Sequence, residues 1–447
     1  MLNRRRLLQA TAALALTGVD RRAFAQQADV PIIFVHGDSD QAPIWQTVIW
    51  RFESNGYTRD RMYAVNFANP QARDDDAVAQ PNRSSTEDQR AALAAMIDNV
   101  KADTSAAKVA LVANSRGGYA VRNYMASAAG AANVAQAVLC GAPNHGVFAL
   151  PGALLGSEYN GAGPFLTRLN GGDSEVPSGA AVLTLRSDGY DKYAQPDGRF
   201  IGHPGLATNV TADGPALKGA TNILLGQVDH RETAFGVRAF PEIYKFIVGR
   251  APSHIAIAPE REVTLNGVVT GYSDGAPTNL PLAGARIEIY RVARDTGARQ
   301  GGPVYSGATG ADGVWGLAAV ESSAPLEFVI TAAGYPITHI YRSPFLRSMA
   351  LLHLRPSPPP GKDDAGAGAV VTLSRPRGYF GLPRDVVLLD GKEPADVTPG
   401  VPTDSTAILR LSEPFDRPIV AEFNVERIVG RGWPLKDNHV TIIEMTS

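Results

Sequence analysis

The chain has one cysteine, Cys140, among its 447 residues. No intramolecular disulfide can form, so a disulfide-stapled scaffold is excluded and the fold must rest on burial and hydrogen bonding. Cys140 ends an apolar run and reads as an inert core residue. Neither sign of charge dominates: 42 Lys and Arg stand against 44 Asp and Glu, a net −2. With no basic stripe to meet a phosphate backbone, nucleic acid is not expected as a partner. No apolar run is long enough to span a bilayer as a helix. What is present is ordinary globular material, 44% hydrophobic and 19% charged, in a chain too long for a single core.

The N-terminus reads Asn3-Arg4-Arg5-Arg6-Leu7-Leu8, then a small, apolar run from Ala10 to Val19, then Ala23-Phe24-Ala25. A charged stretch, a short hydrophobic stretch and an A-x-A site make residues 1–25 a predicted export signal. The arginines followed by leucines resemble the twin-arginine type, which implies a periplasmic or secreted protein. Export after folding fits a chain that has no disulfide to form outside.

Residues 28–250 alternate strand and helix signals. Pro31 to Val35, Val109 to Ala113, Ala135 to Cys140, Ala181 to Arg186 and Asn222 to Gly226 are short and apolar. Ser84-Ser-Thr-Glu87 reads as a capping box, and Leu93, Met96, Ile97 and Val100 then fall on one helical face. This alternation predicts an α/β class, a mostly parallel sheet with helices on both faces. Character changes near Pro252. Runs such as Leu326-Glu-Phe-Val-Ile-Thr, with turns at Ser273-Asp-Gly and Ala311-Asp-Gly, predict a β-sandwich over residues 259–355. After Pro356-Ser-Pro-Pro-Pro-Gly361, a stiff linker or long loop, residues 368–447 again read as all-β. They form a separate unit or complete the preceding one.

The most informative run is Lys108-Val-Ala-Leu-Val-Ala-Asn-Ser-Arg-Gly-Gly-Tyr119. It reads as strand, sharp turn and helix, with Gly117 and Gly118 allowing close packing on the sheet. This is the nucleophile-elbow layout with Ala113 in place of the first glycine, and it presents Ser115. A serine nucleophile needs a base, a group that orients the base, and two N–H donors for the developing oxyanion. His230, in Gly226-Gln-Val-Asp-His-Arg-Glu-Thr, follows the last apolar strand and is the candidate base. His36, His145 and His203 are weaker alternatives. After the strand ending at Arg186, both Asp188 and Asp191 are candidate acids. The backbone N–H groups of Asp38, in His36-Gly37-Asp38, and of Arg116, after the nucleophile, are the candidate oxyanion donors. The Asp38 carboxylate must then face away, and Arg116 is expected to form a salt bridge at the pocket rim. This chemistry needs no metal and no organic cofactor.

These residues resemble the α/β-hydrolase superfamily on its lipase and carboxylesterase side. The elbow, the His-Gly turn and Gly141-Ala-Pro-Asn-His-Gly146, similar to the Gly-x-Pro-x-x-Gly turn of bacterial lipases, carry the resemblance over about residues 31–235. In some lipases the triad aspartate is followed by x-x-x-Gln-Pro, as Asp191 is by Lys192-Tyr-Ala-Gln195-Pro196, which favours Asp191. The layout also resembles two-domain lipases with a C-terminal β module, through Ala333-Gly-Tyr-Pro-Ile and Ser343-Pro-Phe-Leu-Arg. The resemblance implies an exported serine esterase or lipase acting on an ester or lipid-like substrate. Two rivals share the features: a depolymerase of polyesters such as polyhydroxyalkanoates, and a non-catalytic carbohydrate- or surface-binding protein on a hydrolase scaffold. The apolar insertion Val147 to Leu155, with Pro164-Phe-Leu166, lines an acyl pocket, acts as a lid, or is plain core.

Overall fold

The computed structural model describes residues 30–413 and 415–447. The predicted signal, residues 1–25, lies outside the described residues. The first half is built on six strands: β1 (Ile32–Val35), β2 (Met62–Ala64), β3 (Val109–Asn114), β4 (Val134–Cys140), β5 (Ala181–Ser187) and β6 (Thr221–Leu225). They pair in the order β2-β1-β3-β4-β5-β6, every pair parallel. A parallel sheet must be covered on both faces, and the alternation along β3 shows how. Ala110 and Val112 face one core, with helices α1 (Gln46–Ser54) and α4 (Phe240–Val248). Val109, Leu111 and Ala113 face the other, with α2 (Thr86–Thr104) and α3 (Gly117–Met125). Leu93, Ile97 and Val100 of α2 are at most 1% exposed, and such burial contributes about 2 kcal/mol per side chain.

The capping box of α2 sits one residue later than the sequence suggests. Ser85 Oγ accepts from the Asp88 N–H at 3.0 Å, and Asp88 Oδ2 accepts from the Ser85 N–H at 2.8 Å. Ser84 is not free to cap, because its carbonyl and hydroxyl oxygens both accept from the Arg116 guanidinium.

The second half contributes β7 (Glu262–Val268), β8 (Arg286–Arg291), β9 (Tyr305–Ala308), β10 (Val314–Glu321), β11 (Leu326–Thr331), β12 (Ile337–Arg342), β13 (Ala369–Ser374), β14 (Thr406–Leu411) and β15 (His439–Glu444). One seven-stranded sheet runs through both β segments in the order β9-β8-β11-β12-β15-β13-β14. β15 lies between β12 and β13 and is parallel to both. β7 and β10 pair with each other, and their Val263, Leu265, Trp315 and Val320 pack with Ile287, Phe328 and Ile340 of the large sheet. Trp50 of α1 enters this same core and donates its indole N–H to the Ser348 carbonyl at 3.1 Å. Among the described residues no helix is long and apolar enough to cross a membrane.

Candidate active site

β3 ends at Asn114 and α3 begins at Gly117, so Ser115 sits in a two-residue turn at the carboxyl end of a central strand. Its φ is +52°, a left-handed conformation that costs a non-glycine residue about 1–2 kcal/mol. The turn is pinned by the Ser115 N–H donating to the Cys140 carbonyl at 2.9 Å. Gly117 is required there: a Cβ would lie 2.6 Å from the His36 carbonyl oxygen. At Gly118 it would lie 2.5 Å from the Ala142 Cβ.

His230 follows β6 by five residues and is buried. Its Nδ1 lies 2.9 Å from Asp191 Oδ2. Asp191 is fully engaged. Ser187 Oγ donates to Oδ2 at 2.7 Å, and the Tyr193 N–H donates to Oδ1 at 2.8 Å. Burial alone would raise this carboxyl group. The His230 imidazole outweighs burial, with the Ser187 and Tyr193 donors, and holds it below the usual carboxylate range. An ionised carboxylate only accepts, so His230 Nδ1 is the nitrogen that donates to Asp191. Nε2 is buried and has no hydrogen-bond partner among the described residues. The Tyr193 ring meets the imidazole edge-on, with centroids 4.6 Å apart. Asp188 does other work, accepting from the Tyr190 N–H at 3.1 Å and the Gln227 N–H at 2.7 Å to tie two loops together.

Ser115 and His230 line one cavity of about 260 Å³ with Asp38, Tyr193 and an apolar wall of Pro143, Val147, Phe148, Tyr159, Ile201 and Val210. Val147 and Phe148 thus belong to the cavity, whereas Leu154 and Leu155 of the same insertion are exposed. The helix Pro164–Leu169 packs instead on Tyr119 through Leu166 and Leu169. Gly141, at φ +58°, borders the cavity, and a Cβ there would come within 3.3 Å of His230 Cε1 and 2.7 Å of Thr233 Oγ1. A larger hollow of about 490 Å³ beside Glu53, Arg59 and Arg347 holds no histidine.

The Asp38 carboxylate is held by its neighbours: Oδ1 accepts from the Ala72 N–H at 2.8 Å and Oδ2 from Ser39 Oγ at 2.9 Å. The Arg116 side chain corrects one expectation. It does not lie at the pocket rim but is fully buried, forked onto Glu158 at 2.6 and 2.7 Å. It also donates to the Pro70 and Ser84 carbonyls and to Ser84 Oγ. A guanidinium at 0% exposure needs such a partner, and Arg116 does not line the cavity. Glu158 stands 42 positions along the chain with no motif around it, so no local pattern announces it.

The three weaker histidine candidates stand elsewhere. His36 is buried, its Nδ1 on the Gly37 carbonyl and its Nε2 accepting from the Phe67 N–H. His145 bonds Glu175 at 3.0 Å, and His203 is exposed beside Phe148.

Residues 29–142 match the lipase (class 2) family, and residues 261–359 match the lipase C-terminal domain family. The two halves of the chain thus each match a lipase family model, as in a two-domain lipase. The lipase match in the half that carries the elbow supports an ester hydrolase. Among solved structures the chain is similar to a Bacillus licheniformis lipase in its propeptide form, with TM-score 0.36 and 19% identity over 60% of this chain and 58% of that one. It is similar to Aspergillus fumigatus lipase B with TM-score 0.36 and 14% identity over 52% and 55%. It is also similar to the mature Bacillus licheniformis lipase, with TM-score 0.36 and 21% identity over 49% and 93%. The chain therefore spans little more than half the length of the first two. No curated protein matches it.

Proposed function

We propose that this chain is an exported serine hydrolase of carboxylic esters with an apolar, lipid-like acyl group. The observation that carries the reading is the Asp191–His230 pair, whose free Nε2 shares an apolar cavity with a serine at a strained strand-to-helix turn. In this reading Ser115 Oγ attacks the ester carbonyl while His230 Nε2 takes its proton. Asp191 keeps the imidazole oriented and stabilises the imidazolium. The Asp38 and Arg116 N–H groups receive the oxyanion, and neither donates to a backbone carbonyl among the described residues. His230 then protonates the leaving alkoxide, and water releases the acid by the same steps in reverse. The cavity wall supports an apolar acyl group, and the lipase-family match supports an ester. Export rests on residues 1–25, and recovery of a secreted chain that starts after Ala25 checks it.

The Ser115→Ala variant tests the chemistry. It should fold, judged by circular dichroism, yet neither hydrolyse p-nitrophenyl esters nor take up a fluorophosphonate probe. Turnover like that of the unmodified protein would overturn the reading.

A further inference from the structure

The four residues that carry the candidate base, Asp229 to Glu232, are gripped from the second β segment. Arg375 directly follows β13 and is buried. Its Nη1 lies 3.1 Å from Asp229 Oδ2, and its Nη2 lies 2.6 Å from Glu232 Oε1. Asp229 is 0% exposed and uses both oxygens. Oδ1 accepts from the Arg231 and Glu232 N–H groups, each at 2.9 Å, which shapes the turn around His230. Oδ2 accepts from Arg375 and, at 2.7 Å, from the Tyr379 N–H. Glu232 Oε2 accepts from the Asp229 N–H at 2.9 Å and pairs with Arg384 at 2.9 Å. On the far side of His230, Arg231 donates to the Pro376 carbonyl at 2.8 Å and pairs with Asp40 at 2.9 Å, two residues past the Asp38 amide.

We infer that Arg375 is a positioning residue for the hydrolase site: by forking across Asp229 and Glu232 it fixes the loop that presents His230, so the β half is a working part of the site. The inference rests on the reading of His230 as the base. The physics is geometric. Asp229 and Glu232 flank the histidine and share two cations, of which Arg375 is the nearer to both, since Arg384 lies 3.6 Å from Asp229 Oδ2; a buried carboxylate that loses its closer partner drives rearrangement of its loop. A base displaced by about 1 Å costs rate far more than binding.

The test uses the full chain with Arg375→Gln and Arg375→Lys. Active sites are counted by fluorophosphonate titration, so that kcat is expressed per working site. The expected result for Arg375→Gln is a kcat per site lower by roughly tenfold to 100-fold with KM held within about twofold. Arg375→Lys, which keeps the charge but not the fork, should fall between. Unchanged kcat per site overturns the inference, including the case in which only the number of active sites falls, since that is a folding effect alone. Should Arg375→Gln fail to accumulate as folded protein, Arg384→Gln carries the same test through Glu232 from a partly exposed position. Ser115→Ala runs in parallel. If that variant keeps its activity, the serine reading has failed; if it is inactive while Arg375→Gln is normal, only the positioning role has failed.

Discussion

Replacing Glu158 with Gln should destabilise the elbow by several kcal/mol, although residue 158 contributes nothing to the cavity chemistry. The side chains of Arg116 and Glu158 are 0% and 1% exposed, and their two contacts are 2.6 and 2.7 Å long. With charge centres about 4 Å apart and an effective dielectric near 20, the lost attraction is about 4 kcal/mol. That agrees with the roughly 3–5 kcal/mol found when one partner of a buried pair is removed. Gln preserves volume and one acceptor, but it turns an N–H₂ group toward a guanidinium that can only donate. The Pro70 and Ser84 oxygens remain, so the expected loss is about 3 kcal/mol. Urea unfolding followed by far-UV circular dichroism, compared with the unmodified protein, reads it. A double variant, Arg116→Met with Glu158→Leu, should regain most of the loss because it removes both charges. A Glu158→Gln loss below about 1 kcal/mol would refute the claim that this pair is buried and charged.

Two further outcomes follow from the same geometry. Gly141→Ala forces a Cβ against Thr233 Oγ1 at 2.7 Å and His230 Cε1 at 3.3 Å, at φ +58°, so kcat for a p-nitrophenyl ester should drop roughly tenfold or more in a protein that still folds. His36 is lowered from 6.5 to about 4, chiefly by burial, so the unfolded chain takes up its proton first; the stability from keeping it neutral is full above about pH 6.5 and falls by about 3 kcal/mol as pH drops through 4. Unfolding free energies measured from pH 7 to 4.5 should show this slope, and His36→Gln should flatten it; an equal slope in both proteins would count against a buried neutral imidazole.

The strand, turn and helix around Ser115 could be read from sequence because every cue is local: an apolar run, then two glycines that the helix–sheet approach requires. Five of the six strands of the parallel sheet are legible for the same reason, as short and largely apolar runs, whereas the three residues of β2 are too few to stand out. Asp188 and Asp191 lie three residues apart on one loop, and spacing cannot say which oxygen reaches an imidazole; the hydrogen bonds to Gln227 and to His230 distinguish them. Ser84 looked like a cap because its hydroxyl precedes a glutamate by three, but a guanidinium 32 positions away had a stronger claim on it. Arg116 was misplaced at the rim because its partner lies in an unpatterned loop. The grip of Arg375 on Asp229 spans 146 positions and leaves no periodicity to detect. Side chains that pair over such distances are set by how the two halves dock, which no short window contains.

The placement of β15 has a consequence for how the β half comes into being. Strands β12 and β13 are separated in the sheet by a strand synthesised nearly 70 residues after β13 begins, and each pairs with it rather than with the other. Until the ribosome has passed Glu444, both present open edges of unpaired amides and carbonyls, the surface on which strands from other chains can add. Segment-by-segment completion during translation is therefore closed to this half, although the parallel sheet that carries Ser115 has all its strands by β6 and its covering helices by α4. A nascent chain stalled in the 430s would carry a finished six-stranded sheet and two incomplete half-sheets, and it would be the form most exposed to aggregation.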